Sequence, residues 1–211
     1  MCRGYSAAPC GRTALSSFWN FVTDFGDTAV TLPLAALTIA FLFVSGWRRA
    51  AFAFGLALLA CAIAIGLAKL ALESCGHPLL HTDITNPSGH AAVSTTVYGS
   101  LAVLFAGNVA AGRRWIPIAG GAVLLAAIAL SRVELDAHSL VEVVLGLAIG
   151  LAALALFYRQ VAGEPAIAIH GLWLALAGVV VIAIMHGARW PIEDAVRVIV
   201  HLIRHNVASC A

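Results

Sequence analysis

The stretch Pro87-Ser88-Gly89-His90 opens directly onto GHAAVSTTVYGSLAVLFAGNVAAG, residues 89–112, which contains no Asp, Glu, Lys or Arg. Proline restricts the backbone ahead of a helix start, serine is a favoured N-cap, and glycine lets a ligand approach the main chain closely. A run of this length can cross the hydrocarbon of a bilayer, which takes about 20 residues. His90 then stands on the first turn of a span, where unpaired N–H groups and the positive end of the helix dipole make a natural anion site. The plain alternative for these four residues is a loop-to-helix junction.

Comparable runs lie on either side. Thr28–Trp47 is uncharged and ends at Trp47-Arg48-Arg49, and Ala50–Leu72 carries Lys69 as its only charge. Residues 73–87 are polar and read as a loop. Further spans are expected over Ile116–Ser131, from His138 to Tyr158, and over Ala166–Gly187. Before the first, a helix from Thr13 puts Leu15, Phe18, Val22 and Phe25 on one face with Trp19 beside them. After Pro191, Ile192, Val196, Ile199 and Ile203 oppose Asp194, Arg197, His201 and Arg204. Both amphipathic segments are expected to lie in the membrane interface.

The expected architecture is therefore an all-α integral membrane protein of six transmembrane helices, with short interfacial helices at both termini. Residues 1–27 form the N-terminal tail and interfacial helix, 28–188 the six-span domain, and 189–211 the C-terminal amphipathic helix. Composition agrees: 62% of residues are hydrophobic and 10% charged, where a soluble domain carries about 25% charged. A net charge of +2 without any basic run argues against a nucleic-acid partner. The first 27 residues are too polar for the apolar core of a signal peptide, so no cleaved leader is expected.

Six spans place both termini and the loops after spans two and four on one face, here the site face. The short loops of the opposite face carry Arg48, Arg49, Arg113, Arg114 and Arg159, whereas those of the site face carry Lys69 and Arg132. Short-loop cations face the cytoplasm, so the site face is expected outside. Cys2, Cys10, Cys75 and Cys210 also fall there, as free thiols or as up to two disulfides, while Cys61 lies within a span. Gly146 and Gly150 have small-xxx-small spacing, a common pattern of little weight alone.

Three polar clusters meet at the site face: Lys69, then Ser88-Gly89-His90, then Ser131-Arg132 with His138 and Glu142. Lys69 is the only lysine among 12 basic residues. Ionisable groups at span ends are costly to bury unless they pair or serve a site. One of them alone reads as interfacial; three together point to phosphate chemistry. Lys69 and Arg132 can neutralise phosphoryl oxygens, arginine two at once, and Ser88 with the Gly89 and His90 amides can donate to them. His138 and Glu142, four apart, would share one helix face, so the carboxylate holds one imidazole nitrogen protonated and leaves the other nucleophilic. His90 could protonate the departing oxygen.

These residues resemble the second and third signatures of the type 2 phosphatidic acid phosphatase family: Pro87-Ser88-Gly89-His90, and Ser131-Arg132, five residues, His138, three residues, Glu142. That family shares its site with vanadium-dependent haloperoxidases. The resemblance covers roughly residues 28–160. It implies a metal-independent bacterial inner-membrane phosphatase with no cofactor, acting on lipid-linked phosphates at the outer face. Carried over by motif, His138 is the nucleophile that forms a phosphohistidine, Glu142 orients it, and His90 is the general acid. Lys69, Ser88, Gly89 and Arg132 hold the phosphate.

Two departures stand out. The family usually ends its third motif in aspartate, where this chain has Glu142. Its first motif is lysine, six residues and arginine-proline; here Lys69 leads to His77-Pro78, one residue longer and with histidine for arginine. His77 is a candidate to replace that arginine in part, against a plain loop histidine. His81 and Asp83 could line the mouth of the site; His170 and His186 are expected at the interface, and His201 and His205 on the wet side of the last helix. Other classes stay open: a lipid phosphotransferase, a non-catalytic phospholipid-binding relative, or a haem protein, which leaves Lys69 and Arg132 without a role. The expected partners are a lipid-linked phosphate and the bilayer; neither the lipid nor the oligomeric state is legible.

Overall fold

The computed structural model describes residues 14–80, 86–162 and 171–188, without the side chains of 73–80. These residues form α1 (Ala14–Asp24), α2 (Thr28–Val44), α3 (Arg48–Leu80), α4 (Gly89–Gly107), α5 (Trp115–Glu134), α6 (Leu140–Val161) and α7 (Gly171–Met185), with a 3-10 turn at Ala111–Arg113. No strand occurs among the described residues. Five helical stretches are long and apolar enough to cross a membrane: Ala14–Val44, Arg48–Leu72, Gly89–Gly107, Ala111–Glu134 and Leu140–Val161. The shorter apolar α7 lies within the sixth span expected from the sequence. The chain is an all-helical, multi-pass membrane protein. The amphipathic C-terminal segment, with His201 and His205, lies outside the described residues, as do Cys2, Cys10, Cys210, His81, Asp83 and His170.

Local chemistry sets the ends of the spans. Asp27 caps α2, its Oδ1 accepting from the Ala29 amide at 2.8 Å. The same helix closes on Gly46 at φ +87°, with Trp47 N donating to Leu42 O and Gly46 N to Phe43 O. That pair of bonds satisfies carbonyls the helix end would otherwise leave open, and it needs a left-handed residue at position 46. Against the expected loop over residues 73–87, α3 runs on through Leu80. Ala71, Leu72, Glu73 and Ser74 are all compatible with helix, so nothing stops it before Gly76-His77-Pro78. Conversely α4 ends five residues short of the uncharged run, where Asn108 caps it.

α4 is the central helix: 78% of its apolar stretch is buried, against 22–39% in the other long ones. It packs against α2, α3, α5 and α6, and its small residues permit this. The Thr95 and Thr96 hydroxyls donate back to Ala91 O and Ala92 O at 2.7 and 3.0 Å, so they enter the core without orphaned donors. Gly146 and Gly150 on α6 carry far more weight than their pattern suggested. A Cβ at Gly150 would stand 2.5 Å from Ala92 O and 2.6 Å from Thr95 Cβ, and one at Gly146 would collide with the Ser88 carbonyl. The two glycines let α6 lie directly on the first turns of α4.

Phe54, Phe157, Leu42 and Ile128 fill the interior, the first two rings meeting edge-on at 5.8 Å. On α3, Phe52, Leu56, Leu59, Ile63 and Leu67 are more than half exposed. That stripe of large apolar residues suits acyl chains and would be costly in water.

Candidate functional site

The antiparallel helices bring six chain segments to one end of the bundle: the starts of α2, α4 and α6 and the ends of α3, α5 and α7. Lys69, Arg132, His138 and Glu142 lie there with only 7–9% of their surface exposed. Four ionisable side chains so deep in an apolar bundle require partners or a ligand.

The turn between α5 and α6 explains the spacing of the third motif. α5 closes with Asp136 in the left-handed region at φ +51°, Asp136 N donating to Val133 O and Ala137 N to Arg132 O. His138 N also donates to Arg132 O, at 3.1 Å. Arg132 and His138 are thereby tied through one carbonyl, and five intervening residues are what the turn takes. The motif's first residue, Ser131, is buried and donates its hydroxyl back to Ile128 O at 2.6 Å.

Ser139 caps α6, accepting from Glu142 N at 3.3 Å, while Glu142 Oε2 accepts from Ser139 N at 3.1 Å. This is a capping box. His138 therefore precedes α6; the expectation that it shares a helix face with Glu142 is corrected. The pairing it was meant to explain is nonetheless present, for His138 Nδ1 stands 3.2 Å from Glu142 Oε2. The contact arises because a capping-box carboxylate folds back over the helix start, onto the residue just before the cap. The pattern Ser139-x-x-Glu142 was the available signal for it.

Glu142 also reaches the second motif. Its Oε1 accepts from Asn86 N at 2.9 Å, and its carbonyl accepts from Ser88 N at 3.0 Å. Ser88 is fully buried as the N-cap of α4, its Oγ accepting from Ala91 N at 3.4 Å. Gly89 follows, and a Cβ built there would lie 3.9 Å from Lys69 Nζ. The ammonium of Lys69, about three turns before the end of α3, and the first amides of α4 thus converge on one spot. His77 belongs to the last turns of α3, whose side chains lie outside the described residues.

A sequence profile of the PAP2 superfamily matches residues 73–165. An uncharacterized 22.5 kDa protein in the cps region of Klebsiella pneumoniae is 33% identical to this chain over 140 residues, 66% of this chain and 67% of that one. The chain belongs to the PAP2 superfamily. No solved structure matches it. PAP2 membership supports a phosphatase-type function.

Two groups at this site fall outside the stretch that matches the PAP2 profile and carried no motif signal. Thr23, in the last turn of α1, accepts from Arg132 Nη1 at 3.1 Å. Asp27 presents Oδ2 to His90 Nε2 at 3.6 Å. The segment expected to lie in the interface thus contributes its C-terminal end to this cluster. It is held there by His186, which follows α7: Nε2 stands 3.1 Å from Phe21 O and the ring packs on Phe21 and Phe25. Tyr98 adds a hydrogen bond to Phe25 O at 2.6 Å.

Proposed function

We propose that this protein is a metal-independent phosphatase that hydrolyses a phosphomonoester or pyrophosphate on a lipid through a phosphohistidine. The observation that carries this reading is the buried His138–Glu142 pair beside Ser88-Gly89-His90, with Lys69 and Arg132 on the same face. Glu142 holds a proton on Nδ1 of His138, which leaves Nε2 as a lone-pair donor. Nε2 attacks the terminal phosphorus and forms the N–P bond as the bond to the bridging oxygen breaks, and His90 gives that oxygen its proton. His90, now neutral, takes a proton from water, and the hydroxide breaks the N–P bond to release inorganic phosphate. Lys69, Arg132 and the first amides of α4 hold the phosphoryl oxygens, whose charge spreads in the transition state.

A lipid substrate fits a polar phosphate site at the end of a bundle whose flanks are apolar. With the arginine-rich loops in the cytoplasm, the site opens on the outer face of a bacterial inner membrane. The test is phosphate release by the purified protein from phosphatidic acid, phosphatidylglycerol phosphate, undecaprenyl pyrophosphate and lipid A phosphates, with chelator present. Release from at least one, competitively blocked by vanadate, is expected. Release from none, or release only on adding a divalent ion, overturns the proposal. Appearance of the phosphate on an added lipid acceptor instead of in solution identifies a transferase and overturns the hydrolase.

A further inference from the structure

We propose that Asp27 is a positioning residue for His90, supplying the counter-charge that keeps its imidazole charged and ready to give up a proton. The inference rests on the reading of His90 as the general acid.

His90 occupies the first turn of α4, next to Gly89 and Ser88. That position opposes an imidazolium, because the positive end of a helix dipole disfavours a cation there. Lys69 of α3 and Arg132 of α5, both on helices packed against α4, add cationic charge. Glu142 does not answer it, since its carboxylate is engaged by His138, Ser139 and Asn86. An imidazolium in this setting calls for a carboxylate at its side.

Asp27 changes the balance. Its Oδ1 is used in capping α2, accepting from Ala29 N at 2.8 Å and Thr28 Oγ1 at 3.4 Å. Oδ2 faces His90 Nε2 at 3.6 Å, an ion-pair distance, with the side chains only 14% and 10% exposed. At that separation and burial the carboxylate can act as the counter-charge to a charged ring. In the step itself the Nδ1–H bond of His90 breaks as the new O–H bond forms on the departing lipid oxygen. The ring is left neutral, with its remaining proton on Nε2 towards Asp27. An N-cap of α2 could equally be Ser, Thr or Asn. Only a carboxylate caps the helix and also supplies charge to its neighbour.

The experiment separates capping from charge. Asp27→Asn and Asp27→Ser both keep a competent cap, so detergent-solubilised melting temperature and gel-filtration profile should stay near wild type. Each is compared with wild type and His90→Ala in single turnovers on two substrates. One is whichever lipid phosphomonoester of the panel above wild type cleaves fastest, whose alkoxide must be protonated to leave. The other is 4-nitrophenyl phosphate, whose leaving group needs no proton. The account expects both Asp27 variants to cleave the lipid about tenfold or more slowly at saturating substrate, with KM and the nitrophenolate burst within about twofold of wild type. If they slow both substrates equally, or match wild type on both while His90→Ala is slow on the lipid alone, the assignment of Asp27 is overturned. If His90→Ala itself cleaves the lipid at the wild-type rate, the general-acid reading has failed and takes this inference with it.

Discussion

Glu142 gathers His138 and Ser139 on Oε2 and Asn86 on Oε1 of one carboxylate. Glutamate at this place was visible in the sequence as a departure from the family's aspartate; the reason for it was not. The longer side chain closes a capping box at its own helix start and still touches both the third motif and the loop before the second. Shortening it by one methylene should leave it unable to span these partners. Glu142→Asp is expected to lower kcat for lipid phosphate cleavage by about tenfold, and Glu142→Gln, which removes the charge opposite His138, by about a hundredfold or more. Loss of charge-assisted bonds should also lower unfolding free energy by about 1–3 kcal/mol, measured by denaturant titration in detergent. A Glu142→Asp enzyme with wild-type kcat and stability would show that the extra length is idle.

The elements were legible to different depths. Uncharged runs of 16–24 residues announce spans by length alone, so α2 to α6 follow from hydropathy. Boundaries were less accessible, because a helix ends where capping or competing turns end it and not where apolar residues stop; α3 overran its apolar run and α4 fell short. The paired glycines of α6 were legible as a pattern but not as a contact, since small-xxx-small spacing says nothing of the partner. Their consequence is testable. Gly146→Ala places a methyl on the Ser88 carbonyl, so α6 must withdraw from α4 and pull Glu142 from Asn86 and Ser88. An activity loss of at least about tenfold is expected, with destabilisation of about 1–3 kcal/mol. Gly66→Ala on α3 meets nothing within 4 Å and is the matched control; it should retain activity and gain about 0.5–1 kcal/mol from better helix propensity. Equal behaviour of the two variants in a phosphate-release assay and a thermal melt would refute the packing argument.

For the whole molecule, the three motif clusters could be gathered on one face by counting spans, because antiparallel helices alternate their ends. Thr23 and Asp27 could not. They lie 109 and 63 residues from their partners Arg132 and His90, and each alone reads as a helix-end or capping residue. What the fold adds is that the end of α1 and the start of α2 bring Thr23 and Asp27 to Arg132 and His90. Orientation across the membrane is a separate matter carried by Arg48, Arg49, Arg113, Arg114 and Arg159. In a cysteine-free background, a membrane-impermeant maleimide applied to intact cells should label Glu134→Cys, exposed on the site face, and not Ala110→Cys, exposed on the other. The opposite labelling would turn the site to the cytoplasm.

The most direct test of the central claim is to look for the phosphorylated nitrogen. Purified protein is mixed with its lipid substrate carrying radiolabelled phosphate, quenched in alkali within a turnover, and analysed for protein-bound label and its position. The account predicts a base-stable, acid-labile phosphohistidine at His138 in the wild-type chain and none in His138→Ala, which should fold normally and release no phosphate. Label at another residue, or normal turnover by His138→Ala, would contradict it.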